Sequence, residues 1–272
     1  MIRGLAARLL KIAAAGSDAL RRVPDGAVIL LYHRVGGGSG TAVDLPPALF
    51  ASQMDELRSA GQATSLDEML ALTSAGHDAP ATRPVVVTFD DGTADFADQA
   101  LPVLVEAKVP VTLYVATDFV ENGRSFPHDG TPLSWSALRD ALDTGLVTVG
   151  SHTHTHSLLD RLAPKEVADE LDRSVKLIED RLGVSPEHFA YPKALLGSPA
   201  AQDAVRRRFR SAALAGTRTN PYGATDVYRL GRSPVQVADG MAWFRRKARG
   251  GMSFEDDVRR LANRRRYAGA VT

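Results

Sequence analysis

The chain has 272 residues, 44% hydrophobic and 24% charged, which is enough to bury a full core and ordinary for a globular α/β protein. Its 33 Lys and Arg against 32 Asp and Glu leave a net charge of +1, so no long-range field draws it to nucleic acid and no nucleic-acid partner is expected. There is no cysteine, which excludes disulfides, a thiolate nucleophile and Cys-ligated zinc; any metal must be held by His, Asp or Glu.

The first 26 residues begin MIRGLAARLLKIAAAGSDALRR. The uncharged run is far shorter than the about 20 apolar residues that cross a bilayer, and Arg3, Arg8 and Lys11 interrupt what a secretory signal would need unbroken. The stretch predicts a weakly amphipathic helix with Leu5, Leu9, Ile12 and Ala13 on one face, packed on the domain or in peripheral contact with a membrane. The expected compartment is the cytoplasm, with or without contact at the inner face of the membrane.

From residue 27 apolar bursts alternate with helical patterns. AVILLYH (27–33), PVVVTFDD (84–91), VPVTLYVA (109–116), GLVTVGSH (145–152) and HFAYP (188–192) are short, β-branched or aromatic and apolar on both faces, as buried parallel strands are. GGGSG (36–40) predicts a flexible loop after the first strand and lacks the spacing of a nucleotide-binding loop. Helices are predicted near 47–60, 95–107, 134–143 and 199–209. The clearest lies in APKEVADELDRSVKLIEDRLG, where Val167, Leu171, Val175, Ile178 and Leu182 share one face, Pro164 suits the first turn and Gly183 the C-terminal cap. Strand and helix in this order predict an α/β fold with a parallel sheet, open or closed into a barrel, over 27–250. Residues 251–272, with RRLANRRRYAGAVT, predict a basic solvated tail.

Chemistry-bearing residues gather at strand ends. SHTHTHSLL (151–159) puts three of the seven histidines in five positions. As a strand it would point His152, His154 and His156 to one face. As a loop entering a helix it would let His152 and His156, four apart, grip one ion while His154 points elsewhere. A solvated polar strand needs neither. In VVVTFDDG, Asp90 and Asp91 end a buried strand, where carboxylates are costly without a partner. An extended backbone would send them to opposite sides, one toward a cation and the other toward substrate or water. Asp91 with His152 and His156 makes a two-histidine, one-carboxylate set, which leaves an open position on a metal, as catalytic sites do.

TFDDG (88–92) followed by HTHTH (152–156) resembles the first two motifs of the polysaccharide deacetylases of carbohydrate esterase family four. The resemblance covers roughly 27–236. It implies a distorted (β/α) barrel of about seven parallel strands. It also implies that Asp90 is the general base and that Asp91, His152 and His156 are the metal ligands, with His154 at a variable position. FAYPKALLG (189–197) stands where the family commonly has RxPYG or FAYPYG. Lys193 then supplies the backbone N–H to the oxyanion, and Ala190 stands where an arginine is expected; Arg34, Arg229 or Arg232 could replace it in space. No histidine follows His188, so the family's C-terminal histidine is missing. ILLYHRV (29–35) resembles a permuted, exopolysaccharide-deacetylase branch in which a YH strand stands first, which makes His33 the candidate general acid; a buried structural histidine is the alternative. His77, His128 and His188 are expected to have no catalytic role.

The implied activity is metal-dependent hydrolysis of N-acetyl groups from N-acetylhexosamine units of a polysaccharide or glycolipid, with an N-acetylated glycan as partner. Zinc is the default ion, and the same donors accept cobalt, nickel, manganese or iron. The alternatives are an O-acetyl esterase or non-peptide amidase of the same fold, and a catalytically dead glycan-binding homologue.

Overall fold

The structure is a computed structural model that describes residues 11, 12, 14, 16, 23–73, 80–255, 257 and 258. Strand β1 (Gly26–Tyr32) is buried along its whole length. The short strands β2 (Arg34–Val35) and β3 (Asp44–Leu45) pair with each other across the glycine-rich loop. That loop curls around Asp44, whose carboxylate accepts from the backbone N–H of Gly37 and Ser39. It is a built turn rather than the expected flexible link.

Helix α1 (Pro47–Ser59), strand β4 (Ala63–Thr64) and helix α2 (Leu66–Thr73) lead to β5 (Val85–Phe89). The helix expected over 95–107 opens with a π turn, Phe96–Ala100, and continues as α3 (Leu101–Ala107). Pro102 has no N–H to return to Asp98, which accounts for an irregular first turn. Then come β6 (Val111–Val115), α4 (Thr117–Asn122), α5 (Trp135–Asp143), β7 (Val147–Ser151), α6 (Pro164–Leu182), β8 (His188–Ala190), α7 (Pro199–Arg206), β9 (Ser211–Ala213), β10 (Asn220–Pro221), β11 (Ser233–Pro234) and α8 (Gly240–Ala248). Helix α6 has Pro164 in its first turn and ends on Gly183 at φ 72°, as its sequence predicts. The short strands and α2, α4 and α8 carry too few periodic residues to be legible beforehand.

The main sheet runs β10-β1-β5-β6-β7-β8-β9. All its pairs are parallel except β1 with β10. It curls into a distorted (β/α) barrel. The segment 230–234 joins its margins: Leu230 bonds to Ala212 and Leu214, while Ser233 and Pro234 pair with β1.

Side-chain alternation explains why the strands are apolar throughout. Val28, Leu30, Tyr32, Val85, Val87 and Phe89 pack outward with Phe50, Met54 and Leu57 of α1. Ala27, Ile29, Val86 and Tyr114 point the other way, to a cluster with Leu66, Met69 and Leu70 of α2. Thr88 and Asp90 continue the inner parity.

Most of the expected N-terminal helix and of the basic tail lies outside the described residues, as does His77. The described residues depart from the predicted pattern at both ends. Met252 and Glu255, in the stretch expected to be a solvated tail, are buried. Lys11 is buried in ion pairs with Asp239 and Glu255, and Ile12, assigned to the packed face, is 60% exposed. No helix among the described residues is long and apolar enough to cross a membrane.

Candidate active site

The site stands at the carboxyl ends of β1, β5 and β7 and just after β8, where parallel α/β folds place their chemistry. Asp90 remains in the ladder, its N–H donating to the Tyr32 carbonyl at 3.1 Å. Asp91 and Gly92 then take φ of 75° and 96°, which swings the chain off the sheet. The backbone is therefore not extended at Asp91, and the two carboxylates do not diverge as an extended chain would make them. Both face one imidazole: His152 Nε2 lies 3.9 Å from Asp90 and 3.7 Å from Asp91.

His152 also stays in the ladder, its N–H donating to the Val115 carbonyl. Past it the chain leaves the strand, because Thr153 and His156 both adopt φ of 64°. Left-handed backbone at a β-branched residue costs of order 1–3 kcal/mol and persists only where surroundings enforce it. Its effect is to fold His156 back beside His152. The loop alternative therefore holds, and the three histidines do not share a strand face. His154 turns away, with Nδ1 3.0 Å from the Thr117 hydroxyl and Nε2 3.7 Å from Asp118.

Asp91, His152 and His156 each offer a ligand atom, all within 4.8 Å of one another. Asp91 Oδ1 is 3.7 Å from His152 Nε2 and 3.5 Å from His156 Nε2. Two donors about 2.1 Å from an ion at a tetrahedral angle are about 3.4 Å apart, so the set fits a divalent ion. The protonation state fits as well. The Ala190 carbonyl accepts from His152 Nδ1 at 2.7 Å, which leaves the Nε2 lone pair facing the cluster. Burial lowers the pKa of both imidazoles, His156 to about 3 with the neighbouring His152 adding to the effect. Both are neutral at neutral pH, the state in which an imidazole can hold a metal.

The arginine missing at Ala190 comes from elsewhere in the chain. Arg232, fully buried, donates Nη1 to Asp90 Oδ1 at 2.5 Å and Nη2 to Oδ2 at 2.8 Å. Burial works to raise the Asp90 pKa, but the Arg232 charge, with His152, outweighs it and brings it to about 2. Arg34 instead spans Asp95, His128 O and Gly37 O, and Arg229 bonds Gln202.

A cleft of about 420 Å³ opens on the cluster, lined by His33, Asp91, His156, Lys193, Phe119 and Phe126 among others. His33 follows β1, and its buried Nδ1 makes no hydrogen bond within the protein. Lys193 sits at φ 53° in the turn Pro192–Ala194, after β8. His128, at φ 59°, lines the same cleft, nearer the site than its polar loop suggested. His188 lies at the opposite end of the barrel, 3.4 Å from Asp67. With Glu187 these make a second group of potential ligands, but Arg210 already bonds both carboxylates and takes the place of a cation there.

Sequence reasoning missed one further residue of the site. Glu170, on α6, accepts from the loop that carries the histidines. A lone glutamate on an amphipathic helix gives no signal of such a role.

A family model described as polysaccharide deacetylase matches residues 77–211. YxkH of Bacillus subtilis (strain 168), which carries the same family name, is 26% identical over 217 residues, 79% of this chain and 72% of that protein. The poly-beta-1,6-N-acetyl-D-glucosamine N-deacetylase of Staphylococcus aureus (strain MSSA476) is 28% identical over 122 residues, 42% of this chain and only 41% of that protein. Among solved structures, IcaB from Ammonifex degensii superposes with a TM-score of 0.71 at 27% identity, over 82% of this chain and 98% of that one. The Streptococcus pyogenes deacetylase PplD, in complex with acetate, shares the fold at a TM-score of 0.69 and 22% identity, over 80% and 97%.

Proposed function

The chain carries a polysaccharide deacetylase domain, and from that premise we propose that it is a metal-dependent hydrolase removing N-acetyl groups from N-acetylhexosamine units of a polysaccharide or glycolipid. The observation that carries the reading is the donor set Asp91, His152 and His156 beside an ionised Asp90, at the floor of a cleft. Zinc is the proposed ion, with cobalt, nickel, manganese or iron also suited to the donors. The name of the Staphylococcus aureus relative favours a β-1,6-linked N-acetylglucosamine polymer as the first substrate to try.

When bound, a divalent ion lowers the pKa of a water molecule and polarises the acyl oxygen, which lets a base as weak as Asp90 serve. Asp90 takes up the proton released as water attacks the acetamide carbon. Arg232 keeps that carboxylate ionised and in one orientation. The Lys193 N–H donates to the oxyanion that forms. His33 delivers a proton to the departing amine, a leaving group too basic to depart without one.

The test is mass spectrometry of N-acetylated β-1,6-glucosamine oligomers, chito-oligosaccharides and lipid-linked N-acetylhexosamines incubated with chelator-stripped and zinc-loaded protein. Replacement of acetyl by hydrogen only in the loaded sample is the expected result. Cleavage of acetyl esters with every amide left intact would instead make the protein an esterase, and no turnover of either would make it a glycan-binding homologue.

A further inference from the structure

We propose that Glu170 is the residue that builds the ion site, acting as a positioning residue on the loop that carries two of its ligands; the inference rests on the metal reading above. Its carboxylate reaches out of α6 and holds residues 154 and 155. Oε2 accepts from the backbone N–H of His154 at 3.1 Å and of Thr155 at 2.8 Å, and Oε1 accepts from the Thr155 hydroxyl at 2.8 Å.

The location of these bonds gives them their consequence. The two clamped residues lie between Thr153 and His156, the two positions with left-handed backbone. Neither is glycine, and Thr153 is β-branched, so the chain does not adopt this path by preference. An extended continuation of β7 would put His154, not His156, on the side of His152 nearest in sequence, and the pair facing Asp91 would not form. Two N–H groups turned to one carboxylate oxygen compensate that path with charge-assisted hydrogen bonds.

The clamp stands on a rigid base. Val167 and Leu171, flanking Glu170 on α6, are buried, and Ser174 one turn on bonds Ser151 at the end of β7 across 2.8 Å. The helix is thereby fixed to the strand that delivers His152. On the far side the loop is held by His154 to Thr117 and by two backbone bonds, Thr117 N–H to Thr153 O and Asp118 N–H to His154 O. Glu170 is the side that a single substitution can release.

Glutamine should replace it. Its amide oxygen can accept from both N–H groups, and its NH₂ can donate to the Thr155 hydroxyl, which still reaches Ser157 at 2.6 Å. The proposal is tested by titrating zinc and cobalt into chelator-stripped, full-length wild type, Glu170→Ala and Glu170→Gln, with the cobalt visible spectrum as a report of ligand geometry and circular dichroism as a check of fold. Glu170→Ala should weaken ion binding about 10- to 100-fold, as outer-shell partners of metal ligands do, and alter the cobalt spectrum. Glu170→Gln should bind within a few-fold of wild type with an unchanged spectrum. Wild-type affinity in Glu170→Ala would overturn the proposal. An equal loss in Glu170→Gln would overturn it too, since the effect would then be that of the negative charge rather than of the clamp. If wild type itself binds no ion, the metal reading fails first; if wild type binds an ion but deacetylates nothing, the proposed function fails while the clamp result stands.

Discussion

Arg232 and Asp90 stand 142 residues apart in the chain and meet through two parallel hydrogen bonds inside the barrel, at 2.5 and 2.8 Å. Both are buried, Arg232 completely. A carboxylate in that position without a cation would be expelled to solvent or protonated. The pair sets the charge state of the proposed base, and it does so from β11's approach to β1, the segment that also joins the sheet margins.

Arg232→Met should therefore lose about 3–5 kcal/mol of stability, the usual result of leaving a buried charge unpaired. Adding Asp90→Asn should recover much of the loss, because it removes the orphaned charge. Urea unfolding of the two variants against wild type makes the measurement. A single variant as stable as wild type would mean that Asp90 is solvated after all.

The same pair predicts an acid limb in the stability of the metal-free protein. The folded pKa of Asp90, about 2, lies below its ordinary value of 3.8. A depressed carboxylate stabilises the fold above the unfolded pKa and loses that contribution as pH falls through the folded one. The contribution is about 2 kcal/mol, present in full above about pH 4 and gone near pH 2. Asp239 acts in the same direction: burial opposes its ionisation, but Lys247 and Lys11 outweigh burial and hold its pKa low. Unfolding free energy measured from pH 5 to pH 2 should fall, and less steeply in Asp239→Asn. A flat profile would contradict both assignments.

Asp91→Ala, His152→Ala and His156→Ala should each lose bound metal and activity. His154→Ala should keep the ion, because its imidazole bonds Thr117 rather than the cluster. Metal analysis of the four purified variants decides it. An empty site in His154→Ala alone would return the ligand set to the strand arrangement.

His33→Ala should keep the fold and the ion, while kcat on an acetamide substrate falls about 10²- to 10⁴-fold, the usual worth of a positioned proton donor. An aryl acetate, whose leaving group departs without a proton, should lose much less. Equal losses on amide and ester would make His33 a structural residue of the cleft wall.

The strands were legible because parallel strands buried on both faces read as unbroken runs. VVVTF became β5 and VTLYV became β6, within a residue or two of their expected ends. Helix α6 was legible from its apolar spacing and its Pro and Gly ends. Asp90 and Asp91 at one strand end, and His152 and His156 past another, were candidates on motif alone. Tertiary structure decided the rest. HTHTH admitted two geometries until left-handed backbone at Thr153 and His156 selected one, and the clamp that accompanies it, Glu170, belongs to another element. Three arginines were open as the partner of Asp90, and curling of the sheet brought Arg232 to it. Hydrophobic period is written in every few residues of a chain because burial acts on each element separately. A hydrogen-bond or charge partner depends only on separation in space, and a partner 142 residues away leaves no period to read.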